Sequence, residues 1–279
     1  MSVIGIDLGG TKIKVGVVSN NKLCKVISKK INSKASKNNV IKQIMDVIDI
    51  VFTKDIEAIG VGVPAIVDVD KGIVFEVNNI ASWKNVKLKK ILEKKYKVPV
   101  IINNDANCFA LGEKYLGCGM NFDNVVGLTL GTGVGAGIII NKKLYSGKNC
   151  GAGEFGEVLY NCKNYEVFCS GQLYSKYNLD GKTLSNGARK GNKKFKKIFN
   201  EQGYHIGKLL ATIANSVDPE IIILGGSVSN DFKFFKKSMM KSLKESTYAR
   251  TYSCLKIKKS NNPDIAVIGA AFLYKDSIL

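Results

Sequence analysis

The chain has 279 residues, 45% of them hydrophobic, which is enough for about two domains with cores of their own. No apolar run approaches the roughly 20 residues that span a bilayer, and no basic, apolar leader with a cleavage site opens the chain, so neither a membrane protein nor a secreted one is expected. Net charge is +19, yet only Arg189 and Arg250 of the 42 basic residues are arginines, the side chain that forks onto guanine and phosphate, and the lysines are spread out, so no nucleic-acid partner is expected either.

In chain order, Val3–Val18 reads "VIGIDLGGTKIKVGVV": an apolar strand, a glycine-rich tight turn and a second apolar strand, which is a β-hairpin pattern. Asp7 stands just before the turn. A helix follows over 39–53, with Ile41, Ile44, Ile48 and Val51 on one face, then strands at 57–63 and 73–77 and a helix at 86–96. Residues 99–102 read as a buried strand that runs into "NNDAN", Asn103 to Asn107. An Asn or Asp there caps the next helix, which runs to Leu116 and stops at Gly117. One cap does not account for three amides and a carboxylate.

Val125–Ile140, "VVGLTLGTGVGAGIII", repeats the first hairpin: Val3, Gly5, Leu8 and Gly9 meet Val125, Gly127, Leu130 and Gly131, with equal turn lengths. Helices at 199–217 and 231–246 and a strand at 220–224 complete the second half. The Lys-rich tracts at 193–197 and 233–241 interleave Phe and Met, as solvated faces of amphipathic helices do. A duplicated α/β domain with a cleft between the copies accounts for the pattern.

No Walker A sequence occurs, and "GTGVGAG" (131–137) fails the dinucleotide spacing. The turns instead offer backbone N–H groups without bulk in front of them: Gly9, Gly10 and Thr11 in one copy, Gly131, Thr132 and Gly133 in the other. Such a pair suits a polyphosphate. Asp7 beside a phosphate makes sense with a hydrated Mg²⁺ between them. A third glycine element, Gly225–Gly226–Ser227 after a buried strand, lets a ring or ribose approach the backbone. Together these features suggest ATP.

These segments, with "NNDAN", resemble the ROK family of sugar kinases and repressors within the actin/hexokinase-like superfamily, over essentially the whole chain. "DLGGTK" (7–12) and "LTLGTGVGAG" (128–137) resemble its phosphate segments. "GVGVPA" (60–65), "NIASW" (79–83), "GAGEFGE" (151–157) and the late "GAA" (269–271) resemble further family motifs in the right order. The resemblance implies an α/β, duplicated actin-like (ribonuclease H-like) two-lobe fold with an interlobe cleft. One lobe would be 1–116 plus 266–279 and the other 117–265, closing on substrate to exclude water. It implies a cytoplasmic, homodimeric kinase that uses ATP and Mg²⁺ to phosphorylate a free hexose, first the 6-hydroxyl of glucose, with N-acetylmannosamine, fructose and β-glucosides as alternatives. Asp105 would be the catalytic base, and Asn79, Asn104, Glu154 and Glu166 would bind sugar. Thr11 and Lys12, with Gly131 to Gly133, would line the phosphates, and Gly225, Gly226 and Ser227 the adenosine side. Asp105, at a strand end and a helix N-terminus, would be rigid and ionised, with the neighbouring amides donating to and accepting from sugar hydroxyls.

The pattern breaks at the family's zinc site. Glu157 stands where the family has a zinc-binding His that also touches the sugar, so Glu157 becomes a sugar-facing acceptor of different length and charge. Asn164 stands where a ligand cysteine should be, and Cys162 and Cys169 lack a partner His. Structural zinc wants four Cys or His ligands, so zinc is expected to be absent. The other cysteines (24, 108, 118, 150 and 254) read as reduced thiols, and His205 and Trp83 as structural residues. The first strand starts at Val3, so the winged helix-turn-helix that precedes the core in repressor members is not expected. A sugar sensor without turnover is disfavoured by the intact Asp7, Asp105 and phosphate turns.

Overall fold

A computed structural model describes residues 2–77 and 80–278. Its strands and α-helices follow in chain order: β1 (Ser2–Leu8), β2 (Lys12–Ser19), β3 (Lys22–Lys30), α1 (Lys37–Ile48), β4 (Ile56–Val63), β5 (Ala65–Asp68), β6 (Ile73–Val77), β7 (Lys84–Val86), α2 (Leu88–Tyr96), β8 (Val100–Asn104) and α3 (Asp105–Leu116). Then come β9 (Val125–Leu130), β10 (Val134–Ile140), β11 (Lys143–Tyr145), β12 (Leu159–Tyr160), β13 (Lys163–Asn164), α4 (Tyr165–Cys169), α5 (Gly181–Arg189), α6 (Lys193–Val217), β14 (Ile221–Gly225), α7 (Phe232–Ser246), α8 (Ala249–Cys254), β15 (Lys256–Lys259) and α9 (Ile265–Ser277).

The repeat read from the sequence is a repeat of topology. One five-stranded sheet has the order β3-β2-β1-β4-β8 and the other β11-β10-β9-β14-β15. In each, an antiparallel hairpin continues into parallel strands: β1 pairs in parallel with β4, and β4 with β8, while β9 pairs in parallel with β14, and β14 with β15. Strands buried on both faces explain the unbroken apolar runs at β1, β9 and β14. Strand β3 of the first sheet escaped the sequence reading because it is an edge strand: Lys22, Lys25, Lys29 and Lys30 blunt it against aggregation and hide its alternation.

The chain divides into two compact units, Met1–Asn121 with Gly137–Ala152 and Asn261–Leu279, and Phe122–Ala136 with Gly153–Ser260. The segment 137–152, expected in the second, groups with the first. Gly137 lies so close to α3 that a Cβ there would come 2.5 Å from the Ala106 carbonyl and 2.7 Å from the Ala110 methyl. Two helices also differ from expectation. The first ends at Ile48 rather than 53, its chain tightening as Val51 donates to the Ile48 carbonyl (2.9 Å). The long α6 starts at Lys193 rather than 199, because Asn192 caps it by accepting from the Lys194 and Phe195 amides at 2.9 and 3.3 Å.

In the first unit, α9 is held against β1, β4 and α3 at backbone distance. A Cβ at Gly5 would lie 2.0 Å from the Val267 carbonyl, at Gly60 1.7 Å from the Ala270 carbonyl, at Gly112 2.0 Å from the Ile265 carbonyl and at Gly269 1.7 Å from the Cys108 carbonyl. The "GAA" motif is therefore a packing surface. Gly269→Ala should cost at least ~1–3 kcal/mol, since the clash is with backbone and overpacking of a close-packed core is of that order. Urea unfolding would read this as a lowered midpoint with an unchanged slope; a midpoint within error of the parent would contradict it.

Candidate active site

In the first unit the site is built on strand ends. In register, Asp7 on β1 lies beside Gly62 on β4, and Gly62 beside Asn103 on β8, so three parallel strands finish level. Asp105 follows directly as the first residue of α3. Asn104, not Asp105, is the helix cap: its Oδ1 accepts from the Ala106 amide at 2.8 Å, while its Nδ2 donates to the Ala65 carbonyl at 3.4 Å. Asp105 is half-buried in the first turn of α3, where the positive end of the helix dipole favours the ionised carboxylate, and its Oδ1 accepts from the Ala106 amide at 2.9 Å. Gly62 makes room for it: a Cβ there would come 3.0 Å from the Cys108 thiol and 3.5 Å from the Asp105 Cα.

The expectation that all the amides of "NNDAN" face sugar hydroxyls needs correction. Asn103 and Asn107 are 3% and 1% exposed. Their side chains meet each other in the interior, Asn107 Nδ2 donating to Asn103 Oδ1 at 2.8 Å. The spacing of four along the strand end and first helical turn puts both on the inner face. Only Asn104 and Asp105 keep partial exposure. Asn79 lies outside the described residues.

Ahead of this edge, the first turn closes through Gly9, whose amide donates to the Lys12 carbonyl at 2.9 Å. The Gly10 and Thr11 amides have no protein partner among the described residues, and Thr11 and Lys12 are exposed. Asp7 faces Lys14 across the hairpin, and Lys14 bonds Asp264 at 2.8 Å. Burial holds the Asp7 carboxyl above the usual carboxylate range, Lys14 opposes that shift and Asp264 adds to it. A cation near Asp7 would offset both raising effects. Among the described residues no group of three or more His, Cys, Asp or Glu converges on a metal position.

The second unit gathers the other glycine elements. Gly131 closes its turn by donating to the Gly133 carbonyl at 2.9 Å, two residues on where Gly9 reaches three, and leaves the Thr132 and Gly133 amides without a protein partner among the described residues. Thr129 on β9 stands beside Gly225 on β14. Gly226, at φ +80°, lies where a Cβ would meet the Leu130 carbonyl at 2.3 Å, and the Ser227 hydroxyl is 4.0 Å from the Cβ position of Gly131. Glycine is needed at 226 both for its left-handed backbone and for this contact. The Gly131–Gly133 turn and the Gly225–Ser227 bend thus form one surface.

Glu166 also sits at this turn. Its Oε2 accepts from the Val134 amide at 3.0 Å, and its Oε1 accepts from Gln172 at 2.7 Å. A Cβ on Gly133 would be 2.5 Å from that carboxylate, so a larger residue there would displace the Glu166 side chain from its bond to Val134. Glu154 precedes and Glu157 ends a short 3₁₀ helix over Phe155–Glu157, and Glu157 accepts from Asn164 Nδ2 at 3.0 Å. The protein around Glu154 raises its carboxyl above the ordinary value, and Glu157 and then Glu166 raise it further.

Sequence reasoning missed what organises the segment between Glu157 and Glu166. Asn164 caps α4. Tyr160 stacks on Tyr165 with ring centroids 4.3 Å apart, meets Phe168 edge-on at 5.5 Å, and hydrogen-bonds His205 Nδ1 on α6 at 3.0 Å. The nearby tyrosines and Phe168 were visible in the sequence, but their partner His205 lies some forty residues later. Trp83 is a core residue, 1% exposed.

Over residues 3–277 the sequence matches the ROK family profile. It is 28% identical to the glucokinase of Thermotoga maritima, over all of this chain and 98% of that protein. It is also 28% identical to the xylose repressor of Caldicellulosiruptor bescii, over 96% of this chain and 76% of that protein. Among solved structures, a ROK family glucokinase from Streptomyces griseus in complex with glucose and AMPPNP superposes with a TM-score of 0.83 at 28% identity, covering 98% of this chain and 99% of that one.

His205 gives a pH test of the aromatic brace. Burial lowers its pKa below the usual 6.5, Glu201 opposing and Lys176 reinforcing that shift, so the folded state resists a proton that the unfolded chain accepts. The stabilisation is complete above pH 6.5 and is lost as pH falls through that value toward the folded-state pKa. The melting temperature should fall from pH 7 to 5.5, and His205→Gln should flatten that slope. An identical slope in the variant would exclude His205 as its source.

Proposed function

The chain belongs to the ROK family, and we propose that it is an ATP-dependent hexose kinase whose first substrate is glucose, phosphorylated at the 6-hydroxyl. The observation that carries this reading is the position of Asp105: an acid on the first turn of a helix, at the level ends of three parallel strands, in the unit that also holds the Gly10–Thr11 amides. Ligands of open α/β sheets bind outside the carboxyl ends of the strands. The resemblance of the whole chain to kinases, one of them solved with glucose and an ATP analogue, supports the same reading.

In this mechanism Asp105 accepts the proton of the attacking sugar hydroxyl as the new P–O bond forms and the bond from the γ-phosphorus to the bridging oxygen of ADP breaks. Positioning and charge stabilisation account for most of the acceleration in such transfers. Asn104 holds a sugar hydroxyl beside the base, and Asn79, Glu154, Glu157 and Glu166 contribute further polar contacts to the sugar. The unpartnered amides of Gly10, Thr11, Thr132 and Gly133, with Lys12, bind phosphate oxygens. Gly225, Gly226 and Ser227 take the adenosine. A Mg²⁺ near Asp7 would neutralise phosphate charge. Glu157, in place of the family His, is an acceptor of different length and charge, and N-acetylmannosamine, fructose and β-glucosides are the alternative acceptors.

A repressor-like core could bind sugar and do no chemistry, so turnover decides. Release of ADP across a panel of hexoses should be largest with glucose. Asp105→Asn should fold and bind sugar much as the parent does, and lose about 10²–10⁴ in kcat, or roughly 3–5 kcal/mol, the usual contribution of a general base. Turnover within a few-fold of the parent would reduce Asp105 to a structural residue of the helix start.

A further inference from the structure

The strand end that carries Asp105 is fastened from behind by a polar knot. Asn103, 3% exposed, accepts three hydrogen bonds on one oxygen: from the Asn104 amide at 2.8 Å, from Asn107 Nδ2 at 2.8 Å and from the Cys150 thiol at 3.1 Å. Its Nδ2 donates to the Ser146 hydroxyl at 3.2 Å. These partners belong to three pieces of chain: the end of β8, the first turn of α3 and the segment 146–150. That segment is closed on itself, since the Ala152 amide donates to the Ser146 carbonyl at 3.2 Å, and it holds Cys150 in the left-handed region at φ +57°. Among the described residues, Asn107 Oδ1 is buried without a hydrogen-bond partner, an arrangement that costs stability.

Buried polar groups that give up stability in this way, and converge immediately behind a reactive group, call for a reason beyond packing. We propose that Asn103 is a positioning residue for Asp105, and that the 146–150 segment, through Cys150 and Ser146, is its brace. The inference rests on the kinase reading of Asp105. Asn103 fixes the peptide that leads into Asp105 by holding the Asn104 amide, and fixes the first turn of α3 by holding Asn107. An amide is required at 103: the oxygen must accept three donors while the nitrogen gives one bond to Ser146. An aspartate of the same shape would bring a buried charge and could not donate. The thiol at 150 is required as a donor, so serine can replace it and alanine cannot.

The test compares Asn103→Ala, Cys150→Ala and Cys150→Ser in the full chain, with ATP, Mg²⁺ and glucose. A misplaced base costs turnover rather than binding. Asn103→Ala should lower kcat by about 10–100-fold and leave both KM values within about three-fold. Cys150→Ala should lower kcat several-fold, Cys150→Ser should restore it, and the two alanine changes should combine less than additively. A role in packing alone would lower the melting temperature and leave kcat per folded molecule at the parental value, and that result overturns the proposal. Hydrogen exchange needs no substrate and covers the case in which Asn103→Ala does not fold: in Cys150→Ala, exchange at the Asn104 and Ala106 amides should speed up about ten-fold or more. Unchanged exchange overturns the brace even where the parent is an active kinase. A parent that consumes no ATP with any hexose overturns the kinase reading, and the positioning role falls with it.

Discussion

Backbone against backbone is the contact on which the first unit depends. Helix α9 touches β1, β4 and α3 at distances where any Cβ would collide with a carbonyl, and glycines at 5, 60, 112 and 269 are what permit it. Such contacts cannot be adjusted by a rotamer change. They fix β1, β4 and α3 against α9, and the pairing of β4 with β1 and β8 sets Asp7, Gly62 and Asn103 level along one edge. Such rigidity suits the proposed phosphoryl transfer, in which positioning and charge stabilisation dominate.

The same sheet order appears twice, and the two copies do different things with it. Both place a glycine turn between the hairpin strands and close it with a short bond, Gly9 to Lys12 and Gly131 to Gly133. In the first unit the neighbouring parallel strands lead to carboxylates and amides. In the second the neighbour is the Gly225–Ser227 bend, which leaves a bare backbone surface beside the turn. One architecture therefore carries an acid with its supports in one copy and a glycine turn with exposed backbone amides in the other. Glu166, bonded to Val134 at the end of the second turn, ties the acidic 154–166 segment to that surface within the same unit.

Much of this was legible in the residues. The hairpins, the apolar parallel strands, the strand-to-helix junction at 104–105 and the late packing motif all announce themselves through periodicity, glycine placement and capping. What was not legible depended on direction or on distance. Asn103 and Asn107 looked like sugar ligands because a doubly buried strand shows no alternation: Ile102 and Asn103 are both buried, and nothing local says which way the amide faces. Strand β3 was hidden by its edge lysines. The grouping of 137–152 with the first unit rests on Gly137 lying against α3, and the brace around Tyr160 on a histidine far along the chain. Neither leaves a local signature.

The claim that the rest depends on is that this site moves a phosphoryl group from ATP to a hexose. Phosphorus NMR of purified chain incubated with ATP, Mg²⁺ and glucose tests it most directly, because the product itself is seen. The account predicts a new phosphomonoester resonance split by the two protons on C6, growing in step with ADP and absent when Asp105→Asn is used over the same period. Inorganic phosphate appearing with ADP in place of the ester, or an ester formed equally fast by the Asn variant, would contradict it.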